Sequence, residues 1–447
     1  MRSRTRVLAL LLLLSSTIHL HSQFADVSRA GGPVLITSAW RFHTGDDPAW
    51  CRPDFDDSSW PLLQTGKSWS DQGYPDYSGY AWYRIRVKLP ENSAPLGIEL
   101  GKIYTSAEVY VDGQLAGTVG RMRPTPRWDY AVGTNVVRLP AVRSTSVEIA
   151  VRFWEWRQIA HYRPGGFLEQ PRIGPLDVLE QANFSRLARW LAARAAGQTV
   201  DGLAAVLGLF SLGLFMLRRS SIEYAWGALW LLTYAANGAS LTTLVILSQP
   251  ATPVQLIGLL QWVTLLISLL MFVWRFVGAK GDFFLQTGIV LACLILMEGS
   301  LLLLGWLSTT RGHLIEFLLD LTITLILFQR LIRSAKAGNF EARLLLVPFL
   351  LMMGIAAASQ VAWILFTLRA IDYAFIFYSS GPFRISYYDL FNLLGLMAFG
   401  AALVLRFTRS AERDERLSAE FDAAHHVQAQ VVPIDLPAMP RFRFDAA

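Results

Sequence analysis

Between residues 198 and 408 the chain is apolar in seven successive stretches, each closed by charged or turn residues. A stretch of roughly 20 residues, at 1.5 Å rise per residue, matches the ~30 Å hydrocarbon core of a bilayer. One such run could be a buried core helix. Seven in series point to membrane-spanning helices, at 198–217, 222–247, 254–277, 283–306, 313–332, 343–368 and 387–408.

Residues 24–180 follow a different period. Ala81–Leu89, Ser106–Val111 and Ser146–Phe153 alternate apolar with polar positions, and Asp112–Gly113 supplies a tight turn. Alternation rich in Val, Ile and aromatics predicts antiparallel strands, and such strands pack naturally as a two-sheet sandwich. Within it, Trp60 is expected to plug the space between the sheets, with Asp56 or Asp57 capping the preceding turn. Residues 181–197 form an amphipathic bridge, with Phe184, Leu187, Trp190 and Leu191 on one face.

Polar residues interrupt the spans at Asn237, Glu298, Asp320 and Gln360, all in the outer half of their helices. Glu298 and Asp320 fall at comparable depth on adjacent helices. Such groups fasten a bundle or line a ligand cavity or ion route. After the last span, residues 409–433 read as one more helical stretch. Leu417, Phe421, Ala424, Gln428 and Val431 recur at 4-3-4-3 spacing, the seam of a coiled coil. That seam predicts a homodimer; the alternative is one helix lying on a following domain.

Composition sharpens this picture. Apolar residues make up 53% of the chain and charged residues 17%, against a usual ~45–50% and ~25%. A net charge of +6 in a soluble protein would suggest nucleic acid. Here Arg218, Arg219, Lys280, Arg333, Lys336, Arg343, Arg409, Arg413 and Arg416 fall in or beside alternate loops, against Arg311, Arg369 and Arg384 on the other side. By the positive-inside rule the β region is exported and the tail is cytosolic, and no nucleic-acid partner is expected. Met1–Gln23, with Arg2, Arg4 and Arg6 before an apolar core, reads as a secretory signal. Leu20 is a poor residue at a cleavage site, so an uncleaved anchor is the alternative. Cys51 and Cys293 fall in different regions and are not expected to pair.

Three motifs in order, Asp54–Trp60 (DFDDSSW), Ser78–Tyr83 (SGYAWY) and Glu108–Gly113 (EVYVDG), resemble the jelly-roll, galactose-binding-like domain at the N-terminus of family-two glycoside hydrolases. Placed before seven spans, the domain also resembles the exported sensor of bacterial seven-transmembrane receptors with diverse intracellular signalling modules. Glu415–Pro433, with Leu436–Pro437 and Met439–Pro440 after it, resembles the helix leading into bacterial PPM-type serine phosphatases of the RsbU kind. His425 and His426 stand where that family has arginine. The resemblance implies an output domain beginning at 434–447, here truncated, that would bind Mg or Mn and act on a phosphoserine protein. No catalytic residue and no metal ligand is assigned in this chain.

The expected fold class is therefore a membrane α-helical seven-helix bundle with an N-terminal all-β jelly-roll sandwich. The expected segments are a signal peptide (1–23), a periplasmic sandwich (24–180), a linker helix (181–197), the spans (198–408) and a cytoplasmic signalling helix (409–433). Sugar recognition needs an aromatic face and convergent polar groups, which Trp154, Trp156, His161, Tyr162 and Arg163 could supply; their alternative is packing. The expected function is a receptor in the bacterial inner membrane, binding a periplasmic small molecule or carbohydrate. A transporter and a non-catalytic assembly module are the alternatives.

Overall fold

The computed structural model describes residues 24–29, 31–75, 77–90, 95–104, 106–122, 135–141, 145–155, 165–247, 251–304, 306–307, 309–367 and 376–431. Strands precede Leu176 and helices follow it. The strands are β1 (Phe24–Asp26), β2 (Val34–Leu35), β3 (Trp40–Thr44), β4 (Leu62–Leu63), β5 (Gly79–Lys88), β6 (Leu96–Glu99), β7 (Ile103–Tyr104), β8 (Ser106–Val111), β9 (Gln114–Val119), β10 (Val136–Arg138), β11 (Ser146–Glu155), β12 (Gly166–Phe167) and β13 (Arg172–Pro175).

The larger sheet runs β4-β3-β5-β11-β8-β9, and β1 also pairs with β5; the second runs β10-β6-β13-β2. Pairing is antiparallel except at β1, which lies parallel to the end of β5, with Phe24 opposite Arg86. That one strand departs from the antiparallel expectation. The two sheets share an apolar core. Ala81, Tyr83, Ile85 and Val87 of β5 and Val147, Ile149, Val151 and Phe153 of β11 face into it, as two-residue periodicity requires. Asp112 (φ 47°) and Gly113 (φ 82°) make the β8–β9 turn, matching the demand of a primed hairpin turn for positive φ.

Trp60 does not plug this core. It packs with Trp82 and Ala150 on the outer face of the larger sheet, covered by Trp50, Cys51, Phe55 and Tyr110. The 46–60 loop therefore buries a second face of β5, so Trp82 and Arg84 are buried although they point away from the core. The plug between the sheets is Trp40, Trp69, Tyr83, Phe153 and Phe167. Asp56 does cap its turn, accepting the Ser58 N–H at 3.0 Å. Asp57 instead meets Arg84 at 2.7 Å.

Eight helices follow among the described residues: α1 (Leu176–Ala193), α2 (Ala195–Leu217), α3 (Ile222–Leu247), α4 (Ala251–Phe276), α5 (Phe283–Leu303), α6 (Thr309–Lys336), α7 (Phe340–Thr367) and α8 (Tyr387–Val431). A hairpin, β14 (Ile376–Ser380) and β15 (Phe383–Ser386), precedes α8. Each of the seven apolar stretches folds as a helix. Five of them, α2, α4, α5, α7 and α8, are long and apolar enough to cross a membrane. The chain thus has the character of a multi-pass membrane protein. Helices α2 to α8 pack in chain order and α8 returns to α2, closing a ring. Trp230, Phe272, Phe349 and Phe399 fill its middle.

Candidate functional site

The linker helix starts inside the region assigned to the sandwich, at Leu176 rather than 181, and buries a different face. Leu179 and Asn183 are its buried residues, whereas Phe184 is 72% exposed. Leu176 and Leu179 press on Gly97 of β6, where an added methyl would meet Leu176 at 2.9 Å. Arg186, at the same helical spacing, forms an ion pair with Glu99 of β6 and approaches Glu169 at 3.6 Å. Glu99 is 1% exposed, and Arg172 of β13 stands 3.9 Å from its other oxygen. An apolar contact and a buried ion pair thus fasten α1 to the second sheet.

The opposite side of this junction is the β14–β15 hairpin. α1, α2 and α8 all pack against β15. The hairpin passes into α8 through a capping box. Ser386 Oγ receives the Asp389 N–H at 2.9 Å, and Asp389 accepts the Ser386 N–H at 3.1 Å. Each satisfies an orphan amide of the helix start. The sequence carried this signal, since Ser386-x-x-Asp389 opens an apolar run, and the Gly381–Pro382 turn between short alternating segments marks the hairpin.

Of the proposed ligand residues, Trp154 lies on β11, 4% exposed, its ring 6.4 Å from that of Tyr80. It is buried against the sheet. Trp156, His161, Tyr162 and Arg163 lie outside the described residues. Beside them the sequence reading missed Glu155, the last residue of β11 and the next core-facing position after Phe153. It is 1% exposed, and neither carboxylate oxygen has a hydrogen-bond partner among the described residues. Burial pushes its carboxyl well above the ordinary range; the Gly165 N–H approaches and offsets this only in part. Two other carboxylates of the domain converge on one arginine. Arg152 meets Asp46 at 2.5 Å and Glu108 at 2.9 Å, and stacks 4.5 Å over Tyr80. Tyr110 donates to Glu108 at 2.8 Å, and burial pushes its hydroxyl up to about 12.

Within the bundle, Asn237 is half-buried on α3. Glu298 and Asp320 are each 5% exposed but do not pair. Asp320 accepts from Gln360 Nε2 of α7 at 3.2 Å. Glu298 instead lies against the first turn of α6, where a methyl on Gly312 would sit 2.5 Å from its Oε1. Gly312 and Asp320 are two turns apart, about 12 Å along α6, so the expectation of comparable depth fails. Apolar spacing gives a helix its face but leaves its axial offset from its neighbour open.

At the far end of the bundle the polar contacts are ion pairs. Arg406 of α8 donates to Glu223 of α3 and to the Phe276 carbonyl of α4, each at 2.7 Å. Arg218, just past α2, pairs with Asp414 of α8. Beyond that, Glu412 to Gln428 are exposed throughout, including Leu417 (51%) and Phe421 (74%), Ala424 and Gln428. Val431 is the last residue of the helix. The expected seam is therefore a free helical stripe. Among the described residues no three His, Cys, Asp or Glu converge to hold a metal ion, and Cys51 and Cys293 are free thiols.

No protein-family model matches the chain, and neither does any curated protein. Solved structures resemble it loosely over the sandwich. A Bacteroides uniformis beta-glucuronidase 2 bound to cyclophellitol-6-carboxylate aziridine is 21% identical, with a TM-score of 0.27 over 32% of this chain and 17% of that one. A Ruminococcus gnavus beta-glucuronidase is 13% identical, with a TM-score of 0.26 over 34% of this chain and 30% of that one. The chain thus spans less than a third of the length of these enzymes.

Proposed function

We propose that this chain is a signal-transducing membrane receptor, with seven spans, the sandwich in the periplasm and the end of α8 in the cytoplasm. One observation carries the reading: the sandwich and the protruding tail are joined by a continuous set of packed, rigid parts. The second sheet holds α1, α1 packs on β15, and β15 runs through the Ser386 capping box into α8. That helix has 45 residues, about 68 Å at 1.5 Å each, and leaves the bundle as an exposed stripe. A shift of the sandwich has a direct mechanical route to the tail. A carrier has no need of such a strut. Allostery in the strict sense requires two states with different ligand affinities, and these supply the test.

In this reading a small molecule, of the carbohydrate class by the motif resemblance, binds the exported domain, and the tails of two copies pair along Leu417, Phe421, Ala424 and Gln428. The module controlled is a PPM-type serine phosphatase by the resemblance of 415–440. Cysteines placed at Leu115 and Phe421 in a chain lacking Cys51 and Cys293 test the arrangement. Leu115Cys labels from outside intact cells and Phe421Cys only after permeabilisation; labelling of both from one side refutes it. In reconstituted chain, glucuronate, galactose and short oligosaccharides are the probes, and one of them alters the labelling rate of Phe421Cys. An unchanged rate across the panel removes the carbohydrate assignment.

A further inference from the structure

The sandwich-side half of the bundle contains a file of acidic groups that the receptor reading leaves unused. Gly312, Glu316 and Asp320 recur every fourth residue of α6 and so share one face. Glu298, reaching from α5, occupies the level of Gly312, whose missing side chain makes room for it. Glu298, Glu316 and Asp320 thus stand as three successive rungs, about 6 Å apart along the axis. The middle rung is bordered by His313, whose Nδ1 lies 3.1 Å from Glu316 Oε2. The lowest is bordered by Gln360, which occupies one Asp320 oxygen at 3.2 Å.

The file holds three carboxylates against the one imidazole of His313. Glu298 Oε1 is buried with no hydrogen-bond partner among the described residues, and Asp320 has, besides Gln360, only the indole N–H of Trp262 turned toward it. The charged groups acting on Glu298 are Glu316 and His313, and those acting on Asp320 are Glu316 and Glu298; no arginine or lysine is among them. A buried, unpaired carboxylate costs several kcal/mol, so two in one bundle demand a counter-charge or a proton. Below Asp320 the same series reaches Thr324, half-buried between the buried Ile323 and Leu327.

Its shape selects the ligand. The rungs stand in line and do not surround a point, which suits an elongated cation with charges about one helical turn apart. We propose that Glu298, Glu316 and Asp320 form a binding site for an aliphatic diamine or polyamine, entered from the sandwich side. One ammonium group lies between Glu298 and Glu316, and a second hydrogen-bonds Asp320. This site shares no residue with the sandwich, so it stands or falls apart from the carbohydrate reading.

The full chain in lipid nanodiscs provides the test, with putrescine and spermidine as probes against methylamine and sodium chloride at matched ionic strength. The expected result is a saturable rise in unfolding temperature and calorimetric binding for the diamine and polyamine, well above methylamine. Asp320→Asn and Glu298→Gln each weaken binding by about tenfold or more, the loss of one charge-assisted contact. Should either fail to fold, Glu316→Gln, whose parent side chain is 33% exposed, carries the same expectation. Equal effects of sodium chloride, or affinity unchanged in the variants, overturn the proposal. So does a variant more stable than the parent in a chain that shows no amine dependence, which would make the carboxylates protonated packing groups.

Discussion

Arg186 of α1 and Glu99 of β6 form an ion pair across the joint between the sandwich and the helices, 87 positions apart in the chain. Glu99 is buried and Arg186 about a quarter exposed. Removing Arg186 leaves Glu99 with only Arg172, at 3.9 Å. Stranding a buried charge altogether costs about 3–5 kcal/mol and sets the upper bound, whereas replacing both groups by apolar ones is often neutral. Arg186→Ala should therefore lower the unfolding temperature of the full chain, and Arg186→Leu with Glu99→Leu should recover most of the loss. Equal destabilisation by both variants would show the pair to be incidental to the joint.

Glu155 makes the sandwich sensitive to pH. Its folded-state pKa lies above the unfolded value of ~4.3, so its share of stability is full below that value. That share is lost as pH rises through the unfolded value toward the folded one. Glu155→Gln removes the ionisable group without changing shape. Urea unfolding between pH 4 and pH 8 should show the variant more stable than the parent at the upper end, with a flatter profile. A variant less stable at pH 8, with the slope unchanged, contradicts this account.

Gly165 takes φ 77° beneath the Trp69 ring, and a methyl there would run into the indole. Backbone strain of about 1–3 kcal/mol and overpacking of a similar size add together. Gly165→Ala should lose several degrees of unfolding temperature and disturb the fluorescence of the buried tryptophan. An unperturbed spectrum would mean that the loop yields without cost.

The Ser386 capping box fixes the point at which the hairpin becomes α8. Ser386→Ala should cost about 0.5–2 kcal/mol, and Ser386→Thr should cost less. Hydrogen exchange at the first turn of α8 is the measurement. If exchange in Tyr387–Phe391 is unchanged while distant helices loosen, the cap is not what holds this turn.

At the end of the bundle far from the sandwich, Arg406 and Asp414 should behave differently. Arg406→Ala leaves Glu223, 12% exposed, without its partner and should destabilise the bundle by a few kcal/mol. Asp414→Asn breaks a pair whose carboxylate is 57% exposed and should cost less than about 1 kcal/mol, while freeing the tail to label faster. Thermal unfolding and labelling at Phe421 separate the two.

Periodicity determined that the chain is strand before residue 176 and mostly helix after it, although the β14–β15 hairpin lay between two of the helices it marked. Runs near 20 apolar residues and strict alternation report on covalent geometry and the surrounding medium, and both act locally. The Asp112–Gly113 turn was legible for the same reason, because positive φ belongs to particular residue types. What only the tertiary structure decided was the choice among equally apolar faces and the offset between neighbours. Phe184 and Leu179 both suit a buried face of one helix, and the second sheet selected Leu179. Trp60 suits either side of a sheet, and the loop carrying it covered the outer one. Glu298 and Asp320 met Gly312 and Gln360 because packing sets how far one helix slides along the next, and hydrophobic spacing repeats every turn without marking which turn is opposed.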